Sequence, residues 1–294
     1  MKFLSGFIAI VGPPNVGKST LLNRILGKKV AIVSPKPQTT RNRITGIYHE
    51  SGCQMVFMDT PGIHKTETPL HRSMVSSAQS VFKEVDLLVL LIEMRHPNVP
   101  EIPMILNTIR KAKKPSLLVI NKIDKGPKEK LLPIIAEYSE TRSFRSIIPI
   151  SALTGDGVEK LLQELKSMLR EGPAFFPEDV QTDQSESFLV SEMIREKIFL
   201  HTRQELPYSS AVTVERLEEL PERDLVSISA RIRVESESQK GILIGQGGKM
   251  IKKIGQAARE DLESFFGSRV FLELLVKVDK NWSKDPRSLR RLGY

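Results

Sequence analysis

Short apolar runs punctuate the first half of the chain, each bounded by glycine, proline or charged residues. Gly6-Phe7-Ile8-Ala9-Ile10-Val11, Gln54-Met55-Val56-Phe57-Met58, Asp86 to Ile92, Pro115 to Ile120 and Ile147-Ile148-Pro149-Ile150 are apolar and too short for helices, which predicts buried strands. Between them, Ser19 to Leu26 places apolar residues at helical spacing and stops at Gly27, and Glu101 to Ala112 and Val158 to Leu169 repeat the pattern. Alternating strands and helices predict an α/β domain with a mostly parallel sheet wrapped by helices.

The pattern changes after residue 170. Pro173 and Pro177 break regular structure twice, and the polar run Gln181 to Ser187 follows. This predicts a domain at 1–171, a linker at 172–186 and a second domain at 187–294. Phe175 and Phe176 predict a linker that packs against something. Beyond it, Phe188 to Ile198 reads as a helix, and Ala211 to Val214 and Leu225 to Val234 as strands. Helical stretches then flank Gly245-Gln246-Gly247-Gly248, a helix covers Gln256 to Phe266, and a strand covers Val270 to Val278. The order αββααβ describes a smaller α+β domain.

Composition narrows the class. The 294 residues are 40% hydrophobic and 27% charged, as in a soluble globular protein. A single cysteine, Cys53, predicts no disulfide partner and no cysteine metal site, and suits a reducing cytoplasm. Met1 to Ser5 runs straight into the first strand, which leaves no room for a cleavable signal, and Leu87 to Ile92 is far too short to span a membrane. The net charge of +9 is uneven: residues 1–172 carry 25 basic and 15 acidic side chains, residues 173–294 carry 19 and 20. An RNA site in the second domain must therefore rest on local clustering. Lys240 to Lys253 supplies it, with four lysines and no acid.

The chemistry sits at strand ends. Gly12-Pro13-Pro14-Asn15-Val16-Gly17-Lys18-Ser19 fits the phosphate-binding P-loop, between a strand and a helix that continues into Thr20. Its backbone N–H groups and the helix N-terminus face one anion, Lys18 reaches the β and γ phosphates, and Ser19 ligates Mg²⁺. The proline-broken loop Val33 to Asn42 can offer a threonine hydroxyl, Thr39 or Thr40, to Mg²⁺. Asp59-Thr60-Pro61-Gly62 ends a strand, so Asp59 can hold Mg²⁺ through its water shell and the Gly62 N–H can bind γ-phosphate. Asn121-Lys122-Ile123-Asp124 ends another, and the aspartate can accept two hydrogen bonds from guanine that adenine does not offer. Ser151-Ala152 can turn backbone N–H groups toward the base O6.

These five motifs, in this order, resemble those of translation-factor-type GTPases. Gly245-Gln246-Gly247-Gly248, preceded by Ile244 and followed by Lys249, Ile251, Lys252 and Lys253, resembles the Gly-x-x-Gly loop of a type II KH domain. The combination resembles the Era family of ribosome-assembly GTPases across essentially the whole chain. The resemblance implies GTP/GDP and Mg²⁺ as ligands, hydrolysis of GTP, and single-stranded RNA at the 3′ end of small-subunit ribosomal RNA, with the small ribosomal subunit as partner. It implies a cytoplasmic protein, with a peripheral membrane-associated fraction as an open second location. It favours Thr40, before Arg41, as the switch threonine, and gives Asn15 a role in holding K⁺. Ile63 stands where many GTPases have the glutamine that orients water, so Asn15, Lys18, Thr40 and Gly62 are the candidate catalytic groups. Lys280, Lys284, Arg290 and Arg291 of the basic tail can extend an RNA surface, with Trp282 either stacking on a base or packing on the domain. Two other classes remain: a P-loop ATPase or kinase, and a signalling or membrane-associated GTPase whose second module binds protein or lipid.

Overall fold

In the computed structural model, which describes residues 2–36, 39–62, 70, 81–292 and 294, every apolar run singled out above is a strand. β1 (Leu4–Val11), β2 (Ile44–Glu50), β3 (Cys53–Asp59), β4 (Leu87–Glu93), β5 (Ser116–Asn121) and β6 (Ser146–Pro149) form a sheet ordered β2-β3-β1-β4-β5-β6, and β7 (Arg170–Glu171) pairs with β1. β1, β3, β4, β5 and β6 run parallel, while β2 is antiparallel to β3 from Ile44↔Asp59 to Glu50↔Cys53. β2 is absent from the sequence reading, because its alternation of apolar and polar residues is weak.

Helices α1 (Lys18–Leu26), α2 (Ile102–Ala112), α3 (Leu131–Glu140) and α4 (Val158–Met168) connect the strands. The face of β1, β4 and β5 that carries Ala9, Val11, Leu88, Leu90, Leu118 and Ile120 packs on Ile105 and Ile109 of α2 and Ile134 and Tyr138 of α3. Each valine, leucine or isoleucine among them contributes roughly 1.5–3 kcal/mol on burial. Parallel strands buried on both faces explain the unbroken apolar runs. The loops at Gly12, Asp59, Asn121 and Ser151 follow the C-terminal ends of β1, β3, β5 and β6, whereas the loop with Thr40 lies between α1 and β2.

Residues 172–183, expected as linker, are hydrogen-bonded to the first unit. Phe175 packs on Phe7 with ring centroids 4.7 Å apart. The Phe175 and Phe176 N–H groups donate to Gln54 Oε1 at 2.7 and 3.1 Å. Ile47 N donates to Gln181 O at 2.8 Å, and Thr182 Oγ1 donates to Thr45 O at 2.6 Å. The chain divides into two compact units between Asp183 and Gln184.

The second unit contains α5 (Glu186–His201), β8 (Ala211–Leu220), β9 (Leu225–Val234), α6 (Glu237–Ile244), α7 (Lys249–Phe266), β10 (Arg269–Val278) and a short α8 (Pro286–Arg291). The sheet order is β10-β9-β8, with β10 parallel and β8 antiparallel to β9. Ser236 caps α6 by accepting from Gln239 N at 3.2 Å, and the Gln239 side chain accepts from Glu235 N at 2.8 Å, a reciprocal cap. α5 is buried on nearly all sides, which the bidentate pair of Arg195 with Glu192 permits at 2.7 and 2.5 Å.

The structure corrects one residue of the tail. Trp282 is 0% exposed and donates from Nε1 to Ser209 O at 3.0 Å, so it is a core anchor that cannot stack on a base. Lys280 and Lys284 are exposed.

Candidate nucleotide site and nucleic-acid interface

The loop between β1 and α1 needs its glycines. Gly12 has φ +155°, and a Cβ there would meet Leu91 O at 2.4 Å; Gly17 has φ +100°, and a Cβ would meet Asn121 Nδ2 at 2.4 Å. Asn15 sits at φ 62°, a left-handed conformation that asparagine tolerates. Around this loop lies a cavity of about 460 Å³, lined among others by Asn15, Gly17, Lys18, Ser19, Thr20, Thr40, Gly62 and Lys122. That is a normal size for a small-molecule site. Val16 is buried behind it.

Lys18 is buried, with Nζ donating to Gly12 O at 3.1 Å and Pro13 O at 2.8 Å. Burial lowers its pKa to about 8, against the opposing pull of Asp59. Asp59 is fully buried, and burial raises its pKa to about 6 despite Lys18 and a hydrogen bond from Ser19. Ser19 Oγ donates to Asp59 Oδ2 at 2.6 Å and lies 2.8 Å from Thr40 Oγ1. Asp59 Oδ1 is buried with no hydrogen-bond partner among the described residues. Three oxygens from three separate segments therefore meet around an unsatisfied carboxylate. This hard-oxygen donor set fits a small divalent cation such as Mg²⁺.

Thr39 faces elsewhere: its Oγ1 donates to Lys36 O at 2.8 Å and lies 2.7 Å from Ser34 Oγ. Gly62 comes so near the loop that a Cβ would touch three Pro14 atoms at 3.0 Å. Ile63 lies outside the described residues.

A second cluster joins the later motifs to the loop. Asn121 Nδ2 donates to Val16 O at 2.7 Å, and its Oδ1 accepts from Ala152 N at 2.9 Å. Asp124, exposed, accepts from Ser151 Oγ at 2.6 Å, which fixes the carboxylate. The Ser151 and Ala152 amides, expected to face the base, have partners within the chain. Ser151 N donates to Asp156 O at 2.8 Å, and Ala152 N is held by Asn121. Lys122 Nζ bridges Asn15 O at 2.6 Å and Glu93 Oε2 at 2.5 Å. Glu93 went unnoticed in the sequence, although its place at the end of β4 marks it. Asn15 Nδ2 donates to Pro35 O at 3.1 Å, while its Oδ1 has no partner among the described residues.

In the second unit, Gly245, Gly247 and Gly248 have φ of 73°, 60° and 76°, which a side chain rarely adopts. A Cβ at Gly245 would meet Met250 N at 2.9 Å, whereas at Gly247 and Gly248 it would meet open space. Gln246, Lys249, Lys252 and Lys253 are exposed around this loop; Ile244 and Ile251 are half-buried. Beside it a groove of about 420 Å³ lies between α7 and β10, lined by Ile251, Lys252, Gly255, Gln256, Arg259, Phe271, Leu272 and Leu274 among others. Gly255, Gln256, Arg259 and the β10 residues escaped sequence reasoning, because only packing of α7 on β10 assembles them. No helix among the described residues is long and apolar enough to cross a membrane.

Phosphate cradle and glycine-loop unit on one chain define a P-loop nucleotide hydrolase that carries a KH module. Residues 7–122 match the family described as 50S ribosome-binding GTPase, and residues 205–283 match the KH domain. The GTPase Era of Syntrophus aciditrophicus (strain SB) is 54% identical over 294 residues, covering 100% of this chain and 96% of the relative. That of Geotalea uraniireducens (strain Rf4) is 53% identical over 293 residues, covering 100% and 98%. The chain belongs to the Era family of GTPases. A solved structure of a substituted Aquifex aeolicus Era bound to GDP·AlF₄⁻ is 40% identical, covers 100% of this chain and 99% of that one, and superposes with a TM-score of 0.95. An Era in complex with MgGDPNP and nucleotides 1506–1542 of 16S ribosomal RNA gives the same identity and TM-score over 99% of each chain.

Proposed function

We propose that this chain is a GTP-hydrolysing switch that binds single-stranded RNA at the 3′ end of small-subunit ribosomal RNA during assembly of the small ribosomal subunit. The observation that carries the switch is the meeting of the Ser19 and Thr40 hydroxyls with the Asp59 carboxylate, whose Oδ1 has no partner among the described residues. The ligands of the solved relatives support GTP, Mg²⁺ and RNA. Mg²⁺ held there would bridge β- and γ-phosphate oxygens and neutralise their charge. The chain's own groups do the rest. The loop amides and Lys18 take the phosphates in place of the Gly12 and Pro13 carbonyls, and the Gly62 N–H meets the γ-phosphate. Asn121 fixes the loop against the segment at Ala152, and Asp124 reads guanine. Competition with labelled GTP tests the base: ATP is expected to displace it at least about 10³-fold more weakly, since adenine would cover the Asp124 acceptor without offering it the two donors of guanine. Equal displacement removes the GTP assignment in favour of an ATPase.

With isoleucine at position 63, the attacking water needs another source of order. Asn15 offers its Oδ1 to a monovalent cation beside the γ-phosphate. Turnover in K⁺ is expected to exceed turnover in Na⁺ by about tenfold, the scale of roughly 1.4 kcal/mol of transition-state stabilisation. Asn15→Ala should erase the difference, and equal rates in the two salts for the unaltered chain would discard the cation.

The Gly-x-x-Gly loop and its lysines hold the RNA backbone, and the groove between α7 and β10 takes the bases. Gly247 is the position at which to test this, because Gly245 cannot carry a side chain without displacing Met250. Aspartate tolerates the left-handed conformation and puts a negative charge at the phosphates. Gly247→Asp is expected to weaken single-stranded RNA by about tenfold or more in a fluorescence titration, with the circular dichroism spectrum unchanged; full affinity would remove the loop from the interface. The reading places the protein in the cytoplasm with the subunits it serves, and any membrane-associated fraction is peripheral, which cell fractionation checks.

A further inference from the structure

Most of the surplus positive charge lies in the first unit, and much of it gathers at the end of the sheet remote from the nucleotide loops. α2 runs back from the C-terminal edge of the strands and ends in Arg110 and Lys111, followed by Lys113 and Lys114 before β5. α3 likewise returns, and Arg142 and Arg145 precede β6. β5 and β6 are parallel neighbours, so the two basic segments meet: Arg145 N donates to Ser116 O at 2.9 Å, and Arg110 Nε donates to Ser143 Oγ at 3.2 Å. Arg110, Lys111, Lys113, Arg142 and Arg145 are exposed, and Lys114 is half-buried. None of the six forms an ion pair among the described residues, although Glu140 lies within two residues of Arg142. Asp86, at the start of neighbouring β4, is engaged by Phe7 N at 2.9 Å.

We infer that this basic end is a second RNA surface, one that grips the phosphates of a base-paired segment. The inference rests on the RNA reading above. Two observations choose duplex over single strand. Single-strand sites stack bases on exposed aromatic rings, but Phe144, the aromatic in this patch, is tucked against the core beside Tyr138 at a centroid distance of 6.4 Å. The cations also stand on two adjacent chain segments at strand spacing, which suits a ridge of phosphates. The second unit, from Gln184 to Tyr294, carries 19 basic and 17 acidic side chains, whereas residues 1–183 carry 25 and 18. Most of the long-range attraction to RNA therefore comes from the first unit.

The test uses the full chain and a blunt RNA duplex of roughly 20 base pairs, enough to span one protein face. Lys111→Glu/Lys113→Glu/Arg145→Glu is compared with Lys128→Glu/Lys130→Glu/Lys160→Glu, which changes net charge equally on other faces. The patch variant is expected to lose duplex affinity by about tenfold or more relative to the control variant, and its log K against log salt should flatten by about 2–3, near 0.9 per lost phosphate contact. Binding of a single-stranded 3′-end oligonucleotide should be unaltered in the patch variant, and Gly247→Asp should retain the duplex. Equal duplex affinity in the two triple variants overturns the inference while leaving the single-strand reading intact. Failure of the unaltered chain to bind either RNA sinks both. Loss of binding to phosphatidylglycerol vesicles in the patch variant, with duplex affinity unchanged, assigns the surface to membranes and overturns the inference.

Discussion

Asp124→Asn is expected to turn this GTPase toward xanthosine triphosphate. A carboxylate offers only acceptors, and guanine presents two donors, N1–H and the exocyclic amine. Asparagine keeps one acceptor and adds a donor, so the guanine amine would face an N–H₂. Xanthine has a carbonyl where guanine has that amine, and the pair becomes complementary. Losing one charge-assisted hydrogen bond and setting donor against donor costs about 3–5 kcal/mol, or roughly 10²–10⁴ in GTP affinity. The Ser151 hydroxyl, 2.6 Å from Asp124 Oδ1, can donate equally to an asparagine oxygen, so the side chain should stay in place. Competition of GTP and xanthosine triphosphate against a fluorescent analogue measures the exchange. A variant that binds both as poorly as ATP would show that Asp124 positions the loop and does not read the base.

Trp282→Ala is expected to unfold the second unit far more readily while leaving nucleotide affinity alone. Removal of a fully buried tryptophan costs about 3–5 kcal/mol from lost contacts and the cavity left behind. Here it also strands Ser209 O, the acceptor of the indole N–H at 3.0 Å, and removes the partner of the Tyr294 ring at 5.9 Å. Urea unfolding followed in the second unit should show that loss. RNA affinity measured well below the melting temperature should be retained. A residue stacking on a base would give the reverse: about 1–3 kcal/mol lost from RNA binding and little from stability.

Trp282 also marks where the sequence stops being legible. Strands such as Leu87–Glu93 could be read because burial on both faces leaves unbroken apolar runs, and the loops because phosphate chemistry demands glycine, lysine and serine at fixed spacing. Nothing in the spacing of Trp282 reveals that Ser209 waits 73 positions upstream to accept its N–H. The same holds for β2, where Thr45, Gly46 and His49 dilute the apolar signal and the strand forms by pairing with β3. In the sequence Thr40 is favoured over Thr39 only by its place before Arg41, and the fold gives the physical reason: the loop turns Thr40 to Ser19 and Thr39 to Lys36. The groove beside the KH loop was legible on the α7 side through Ile251 and Lys252. Its other wall depends on β10 lying against that helix.

The segment from Phe175 to Thr182 bears on where this chain can be cut. A truncated protein ending at residue 171 matches the boundary suggested by the prolines, yet it strips Gln181 from Ile47 N, Thr182 from Thr45 O and Phe175 from Phe7. It would present β2 as a bare edge, with unpaired N–H and C=O groups ready to recruit another molecule. Ending at 183 keeps the strap in place. Insertions divide the same way: residues added between 183 and 185 lengthen a tether, whereas residues added between 175 and 182 shift the register against β2 and undo a seam of the first unit.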